Sequence, residues 1–307
     1  MRKTATGHVV RALTIAGSDS GGGAGIQADL KTFAAYGVFG MSAITAVTAQ
    51  NTLGVQAVEY LDEGVVRAQI RSVLEDLGTD AIKLGMLGSV QIMGTVAAEL
   101  TKVSVPIVLD PVMVAKGGAR LMDEDAVATL VDKLLPLAAL VTPNLPEAEV
   151  LYGREIRTWQ NALDVCAELV GKGAKAVILK GGHAADALWM DSPWPQLTQQ
   201  MAADVLYDGT HYTILACERT ETEKTHGTGC TFSSAAAAAM ALGANVTDAV
   251  ASAKVFIDRA IRRAQDWDVG HGHGPTDHSA PVQGFRGLEP GYVYVWQDDR
   301  WQAIGET

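Results

Sequence analysis

The sequence predicts one large α/β domain, built on a mostly parallel sheet with helices on both faces and an antiparallel edge. Two observations support this class. Short apolar runs typical of strands alternate with stretches of helical spacing that are ten or more residues long. The chain has 307 residues, 48% of them hydrophobic, so it is long enough to bury one sizeable core.

In the first half of the chain, residues 11–16 form an apolar run, residues 17–25 are rich in glycine, and residues 26–36 have helical spacing. This order predicts a strand, a loop and a helix. The glycine stretch lacks the Lys-Ser/Thr phosphate-loop pattern and a complete GxGxxG. It is therefore either a flexible turn or a loop packed under a small substrate. The later predicted elements are a β run over 40–51, a helix over 61–77, strands over 81–87 and 105–109, a helix over 89–101 and a helix over 131–137.

The second half continues with a strand over 176–180 and helices over 232–242 and 245–267. Alternating stretches on either side of Asp208-Gly209 predict an antiparallel hairpin at the edge of the sheet. A second hairpin is predicted near the C-terminus, around residues 297–299. Three histidines between residues 271 and 278 suggest a metal site, but a site needs converging carboxylate or thiol ligands, and without such a set an ordinary loop is favoured.

Charge and cysteine content narrow the class of function. The net charge is −11 and no run of lysine or arginine occurs, which argues against a nucleic-acid partner. The three cysteines, at 166, 217 and 230, are too few and too scattered for a disulfide framework or a zinc site. Residues 1–10 are polar and no apolar span of 18 residues occurs. We therefore expect a cytoplasmic protein that acts on small molecules, without a membrane partner.

Polar residues follow several of the predicted strands. Ligands of parallel sheets lie beyond the carboxyl ends of the strands, so Asp110, Asn144, Glu147 and Lys180 are expected on one rim with the turn over 225–230. That turn contains two glycines and leads into an alanine-rich helix. The first amide hydrogens of such a helix have no intrahelical acceptor, and the helix dipole adds partial positive charge. The rim is the predicted active site, with a phosphate group at the turn.

Four ordered motifs, over residues 16–29, 142–147, 180–183 and 225–230, resemble those of the hydroxymethylpyrimidine/phosphomethylpyrimidine kinases of thiamine biosynthesis, in the ribokinase-like superfamily. The resemblance implies a three-layer sandwich with a central, mainly parallel sheet. It also implies ATP-dependent phosphorylation of 4-amino-5-hydroxymethyl-2-methylpyrimidine, and then of its monophosphate to the diphosphate. Relatives imply a homodimer and Mg²⁺, and leave dependence on a monovalent cation open.

The resemblance assigns residues 11–281 to the kinase domain, with an N-terminal extension over 1–10 and a C-terminal extension over 282–307 that it does not explain. Gln50 matches the glutamine that binds the aminopyrimidine, since an amide offers both a donor and an acceptor. The alternative interpretation of Gln50 is an ordinary polar residue at the end of a strand. The alternative for Met86 is a core residue. The positions that match others around the ring are Gly17, Asp29, Val47 and Met86.

The remaining assignments concern ATP and the metal. Asp110 and Glu147 resemble the acids that organise Mg²⁺ through waters. Lys180 resembles the family lysine that faces the ATP phosphates with a positive charge, and it is expected to be a catalytic residue. Lys116, in a glycine-bearing flap, is either a phosphate ligand or a solvated lysine. The expected ATP-binding residues are Asn144, Lys180, Thr225 and Lys116.

The resemblance places the transferred phosphoryl group on Gly227, Thr228, Gly229 and Cys230. Cys230 stands where many sugar-kinase relatives have an aspartate. A helix start is expected to lower the pKa of its thiol, so that the thiolate could accept the proton of the alcohol. The alternative for Cys230 is a small buried core residue.

Two other functions compete with the pyrimidine kinase. A pyridoxal kinase is the nearest, although the kind with two cysteines carries the second one near Ala115, where this chain has none. The other is a non-catalytic pyrimidine sensor, which predicts damage to the phosphate-handling residues. All of those are intact here.

Overall fold

The central feature of the computed structural model, which describes residues 1–4, 6–113, 122, 124–182 and 192–307, is a large twisted sheet. Ten strands of the described residues form it in the order β12-β11-β10-β9-β8-β7-β6-β5-β1-β2, and β3 and β4 form a separate pair. The strands are β1 Arg11–Ala16, β2 Phe39–Ile44, β3 Ala46–Asn51, β4 Gly54–Tyr60, β5 Ala81–Leu84, β6 Ile107–Leu109, β7 Leu140–Val141, β8 Val177–Leu179, β9 Met201–Tyr207, β10 Tyr212–Glu218, β11 Tyr292–Gln297 and β12 Arg300–Glu306.

Pairing in the sheet is parallel from β2 through β1, β5, β6 and β7 to β8. β9 and β10 then add antiparallel strands, as the Asp208-Gly209 signal predicted. The mainly parallel sheet with an antiparallel edge is thus confirmed. The helices are α1 Gly25–Ala35, α2 Glu63–Ser72, α3 Val90–Leu100, α4 Glu124–Thr129, α5 Leu145–Tyr152, α6 Trp159–Gly171, α7 Thr228–Ala241 and α8 Val246–Arg263.

Two hydrophobic cores lie on opposite faces of the sheet, because successive strand residues point to opposite sides. Leu13 and Leu109 join the core beneath α2, α3 and α6, whereas Ala12 and Val108 join the core beneath α1, α7 and α8. The alanine-rich helix α7 buries Ala235 and its neighbours completely. Small side chains there bring the helix close to the sheet, and this places its N-terminus at the carboxyl ends of the strands. No helix among the described residues is long and apolar enough to cross a bilayer.

The β run over 40–51 is two strands rather than one. Thr45 ends the first, since its N–H donates to Ala16 O at 3.0 Å and its hydroxyl donates to Met86 O at 2.7 Å. From Ala46 the chain leaves the main sheet and pairs with β4. Residue composition favours β structure throughout this run, so it does not report the change of partner.

The predicted C-terminal hairpin is present as β11 and β12. Its turn places Asp298 and Asp299 at φ of 51° and 54°, the left-handed region that such tight turns require. β11 pairs in parallel with β10 and therefore extends the main sheet. The hairpin covers the edge that β10 would otherwise expose. The predicted helices over 61–77 and 131–137 also form, the second one beginning earlier, at Glu124.

Candidate active site

A cavity of about 390 Å³ opens beyond the carboxyl ends of the parallel strands. The convergence of distant segments on this rim is what the strand-end rule predicted. Gln50 and Cys230, 180 positions apart, face the same space. The predicted residues that line the cavity are Gly17, Gln50, Met86, Asp110, Asn144, Glu147, Lys180, Thr225, Gly227, Thr228, Gly229 and Cys230.

One end of the cavity is shaped for a flat ring. Gly17 is buried and its N–H donates to Met86 O at 3.1 Å, and a Cβ at Gly17 would overlap the methyl group of Met86. The glycine therefore lets the methionine side chain lie over the strand end. Across the cavity, the hydroxyl of Thr48 lies 3.2 Å from Gln50 Oε1. Gln50 is held further through its backbone, whose N–H donates to Ser20 Oγ at 2.8 Å.

Val47 does not line this cavity, which corrects its predicted place around the ring. Its side chain is 49% exposed, because β3 alternates and Thr48 is the residue that points inward. The apolar wall comes instead from Val55 and Val58 on β4. Periodicity alone could not choose between the two faces of a strand whose partner was unknown.

Asp29 is also misplaced by the sequence analysis, since it lies beneath the cavity floor with no exposed surface. Its carboxylate accepts from Thr14 Oγ1 and Ser234 Oγ, each at 2.6 Å, and pairs with Lys83 Nζ at 3.0 Å. Lys83 does line the cavity. Asp29 therefore acts on the cavity from below, through its ion pair with Lys83 and through its charge, which raises the pKa of Cys230.

Lys83 was missed by the sequence analysis, although a signal existed. A lysine inside the apolar strand β5 must find a partner, because an unpaired buried charge is costly. Burial by itself lowers the pKa of Lys83, but the negative charge of Asp29, with Cys230 and Asp110 nearby, outweighs burial and raises it. The floor of the cavity therefore holds an ammonium group that is paired with the carboxylate of Asp29.

The opposite end of the cavity is the N-terminus of α7. Gly227 is its N-cap, at φ +79°, and a Cβ there would overlap the carbonyl oxygen of Gly23. Thr228 Oγ1 donates to Thr225 O at 2.6 Å and closes the turn. The first amide hydrogens of α7 have no intrahelical acceptor, and Gly229 and Cys230 of this first turn line the cavity. The arrangement suits a phosphate group.

An acid–lysine cluster lies beside that helix start. Asp110 accepts from Thr142 Oγ1 at 3.1 Å and from Ser233 Oγ at 3.2 Å, and pairs with Lys180 Nζ at 3.2 Å. Burial opposes ionisation of Asp110, yet Lys180 and Lys83 keep its pKa below the usual range. Burial raises the pKa of Glu147 to about 7, and Asp110 adds to the rise. Two carboxylates next to each other in this way would gain from a bound cation.

Asn144 has a structural task in addition to its place at the cavity. It caps α5, accepting from Glu147 N at 2.9 Å, while Glu147 Oε2 accepts from Asn144 N at 2.9 Å. This reciprocal capping fixes the Glu147 carboxylate at the rim.

Among the described residues, no group of three or more His, Cys, Asp or Glu could hold a metal ion. Lys116 lies outside the described residues.

The thiol of Cys230 differs from the expectation. Burial raises its pKa to about 11, even though Lys83 and the N–H of Gly25 lower it. The predicted lowering by the helix start was wrong, because loss of solvation outweighs the favourable charges. At neutral pH the side chain is a thiol, partly exposed to the cavity.

A second cavity, of about 330 Å³, adjoins the first along the helix start. Its far side holds the buried pair of Lys254 and Asp204, whose Nζ and Oδ2 atoms are 2.8 Å apart. Asp204 Oδ1 also accepts from Gly181 N at 2.9 Å. The sequence analysis did not identify this space. The residues common to both cavities are Asn144, Lys180, Thr225, Thr228 and Gly229.

Comparison with known proteins identifies the family of the chain. The family profile of phosphomethylpyrimidine kinase matches residues 19–277. The chain belongs to the phosphomethylpyrimidine kinase family. It is 48% identical over 274 residues to the hydroxymethylpyrimidine/phosphomethylpyrimidine kinase of Haemophilus influenzae, covering 89% of this chain and 98% of the relative.

Two solved structures have a fold similar to that of this chain. The phosphomethylpyrimidine kinase of Clostridium difficile is 42% identical, with a TM-score of 0.69 over 82% of this chain and 99% of that one. The pyridoxal kinase of Staphylococcus aureus in complex with AMP-PCP and pyridoxal is 35% identical, with a TM-score of 0.78 over 89% of this chain and 95% of that one. The predicted ribokinase-like sandwich is thereby confirmed.

Proposed function

We propose that this protein is an ATP-dependent kinase of thiamine biosynthesis. It phosphorylates 4-amino-5-hydroxymethyl-2-methylpyrimidine and then the resulting monophosphate to the diphosphate. The observation that carries the proposal is one cavity with an amide and apolar side chains at one end and a glycine-opened helix start at the other. A ring bound at Gln50 would direct its hydroxymethyl group towards α7.

The nucleotide is proposed to occupy the second cavity. The five residues shared by the two cavities join the second cavity to the helix start, which supports this placement. In this arrangement the triphosphate would follow Asn144, Lys180 and Thr225, with the γ-phosphoryl group on the amides of Gly229 and Cys230. The S. aureus pyridoxal kinase complex with AMP-PCP supports nucleotide binding on this fold.

Mg²⁺ is proposed to bind near Asp110 and Glu147 through water molecules. The two carboxylates fit this ion, which retains much of its hydration and needs few protein ligands. Burial raises the pKa of Glu147 to about 7, and a cation bound beside its carboxylate would favour the ionised form. When bound, the ion neutralises phosphate charge. Lys180 supplies a further positive charge from the protein itself.

Phosphoryl transfer then depends mainly on position. The helix-start amides and Lys180 stabilise charge on the phosphoryl oxygens, and the ring site holds the alcohol oxygen in line. We propose that the thiolate form of Cys230 takes the alcohol proton as the alcohol oxygen bonds to the γ-phosphorus and ADP leaves. Its pKa of about 11 leaves little thiolate at neutral pH, but a largely dissociative transfer needs only weak activation of the nucleophile.

The direct test measures ADP release with each candidate alcohol. The pyrimidine alcohol is expected to give the highest kcat/KM, and its monophosphate should also be a substrate. Pyridoxal is the second candidate, because the S. aureus pyridoxal kinase has the higher TM-score of the two structures. Faster turnover of pyridoxal than of the pyrimidine alcohol would make pyridoxal the preferred substrate and the pyrimidine the second candidate. Absence of ADP release with every alcohol would end the kinase proposal and favour a sensor.

A homodimer is proposed on the basis of the β3–β4 pair. Val47, Leu53 and Tyr60 are exposed large side chains on or beside this pair, between 41% and 66% accessible. Light scattering coupled to gel filtration should give twice the chain mass of 32.3 kDa. The cytoplasm is the proposed location, supported by three free cysteines.

A further inference from the structure

Two loops that are 200 positions apart interlock at the centre of the site. The glycine loop, residues 17–25, follows β1, and the phosphate turn, residues 225–230, leads into α7 and includes its first three residues. Gly227 packs directly on the carbonyl oxygen of Gly23, where a Cβ would overlap it. The imidazole of His226 also lies against Gly23. Neither loop can move without the other while these contacts hold.

Asp19 and His226 form the polar part of the contact between the glycine loop and the phosphate turn. His226 Nε2 lies 2.8 Å from Asp19 Oδ2, and both residues are buried, at 7% and 1% exposed. The same carboxylate accepts from the backbone N–H groups of Gly21, Gly23 and Ala24, at 2.8 to 3.1 Å. Asp19 therefore shapes the whole glycine loop and holds the side chain of His226 at its centre. The N–H of His226 donates to Gly274 O at 3.0 Å, which anchors the other side.

The two loops serve different ends of the cavity. The glycine loop holds the ring site, since Ser18 O accepts from Thr48 Oγ1 at 2.9 Å and Ser20 Oγ is bonded to the backbone of Gln50. The phosphate turn presents the helix-start amides. The distance between the alcohol and the phosphoryl group is thus determined by how these two loops are joined.

We propose that Asp19 and His226 are positioning residues that fix the alcohol site relative to the phosphate turn. This inference rests on the proposed kinase function and concerns how one site achieves it. The pair acts through the backbones of both loops, because Asp19 accepts from His226 Nε2 and from three amides of the glycine loop, while the backbone of His226 belongs to the phosphate turn at the cavity wall. A displacement of about 1 Å between reacting groups costs on the order of 10²-fold in rate. Loss of the pair should therefore appear in kcat.

The experiment compares His226→Leu with His226→Gln in the full chain. Leucine removes the ring donor to Asp19, whereas the glutamine amide can restore a donor near the position of Nε2. His226→Leu is expected to lower kcat for the pyrimidine alcohol about 30-fold to 100-fold, with KM for that alcohol changed less than about threefold. His226→Gln should recover most of the loss. His271→Leu, the same substitution at an exposed histidine, is the matched control and should behave as the wild type.

Three results would overturn the inference: unchanged kcat in His226→Leu, equal damage in His226→Gln, or a loss confined to KM. If His226→Leu is insoluble, Asp19→Asn is the variant to test, because it keeps the size of the side chain and one acceptor oxygen. Asp19→Asn should show the same loss of kcat.

Amide hydrogen exchange separates this inference from the proposed function. Residues 17–25 should exchange faster in His226→Leu, or in Asp19→Asn, than in the wild type and His226→Gln. If the wild type releases no ADP, the proposed function fails. The exchange comparison still tests whether Asp19 and His226 join the two loops. Unaltered exchange in residues 17–25 would refute the coupling of the two loops.

Discussion

The buried pair of Lys83 and Asp29 gives the sharpest prediction about stability. Both side chains have no exposed surface, and the ammonium lies 3.0 Å from each carboxylate oxygen. Asp29→Asn keeps the shape and one acceptor oxygen, so one of the hydroxyls of Thr14 and Ser234 can still donate to it, but the charge of Lys83 is left without its counter-ion. Removing one partner of such a pair costs about 3–5 kcal/mol, and nearby Asp110 favours the lower end.

The assay is urea unfolding followed by tryptophan fluorescence. With a slope of about 3 kcal/mol/M for a chain of this size, Asp29→Asn should lower the midpoint by about 1 M. Lys83→Met should lose less, because Thr14 and Ser234 still donate to the carboxylate. The double variant Asp29→Asn/Lys83→Met carries no buried charge at this position and should be more stable than Asp29→Asn alone.

The coupling between the two changes should therefore be about 2 kcal/mol or more. Strictly additive losses in the double variant would refute the reasoning, because they would mean that the two charges do not compensate each other. Circular dichroism before unfolding controls for a change of fold in each variant.

Three further predictions concern the cavity. Gln50→Ala should raise KM for the pyrimidine about 10-fold to 100-fold, from two lost hydrogen bonds, and leave KM for ATP near normal; equal loss of both would indicate misfolding. Cys230→Ala should lower kcat more than pyrimidine affinity. Wild-type kcat should also rise with pH between 7 and 9, since the thiolate fraction grows below a pKa of about 11, and a slope that persists in Cys230→Ala would exclude the base role. Gly227→Ala should lower kcat on the order of 10²-fold by overlap with Gly23 O. Gly243→Ala is its control, because Gly243 has φ +88° with open space around it; equal effects would point to backbone strain instead.

Much of the architecture could be predicted from the sequence, because local patterns report it directly. The glycine loop between β1 and α1, the Asp208-Gly209 hairpin and the C-terminal hairpin all follow from alternation and turn residues. The shared rim of Asp110, Lys180 and the phosphate turn followed from one topological rule.

The parts that sequence could not supply are those determined by packing between distant segments. The burial of Asp29 and its pairing with Lys83 depend on α1, β5 and α7 meeting. Val47 faces away from the ring site because β3 pairs with β4 outside the main sheet. The raised pKa of Cys230 reflects burial, which no local pattern around a helix start reveals. The contact between Asp19 and His226 joins residues 207 positions apart.

The central claim is that one cavity holds the pyrimidine alcohol and the transferred phosphoryl group face to face. A crystal structure with the pyrimidine alcohol and AMP-PCP tests it most directly. The ring should lie between Met86 and the Val55–Val58 wall, bonded to Gln50, with its hydroxyl about 3–3.5 Å from the γ-phosphorus at the start of α7. A ring bound away from Gln50, or a γ-phosphate away from Gly229 and Cys230, would contradict the account.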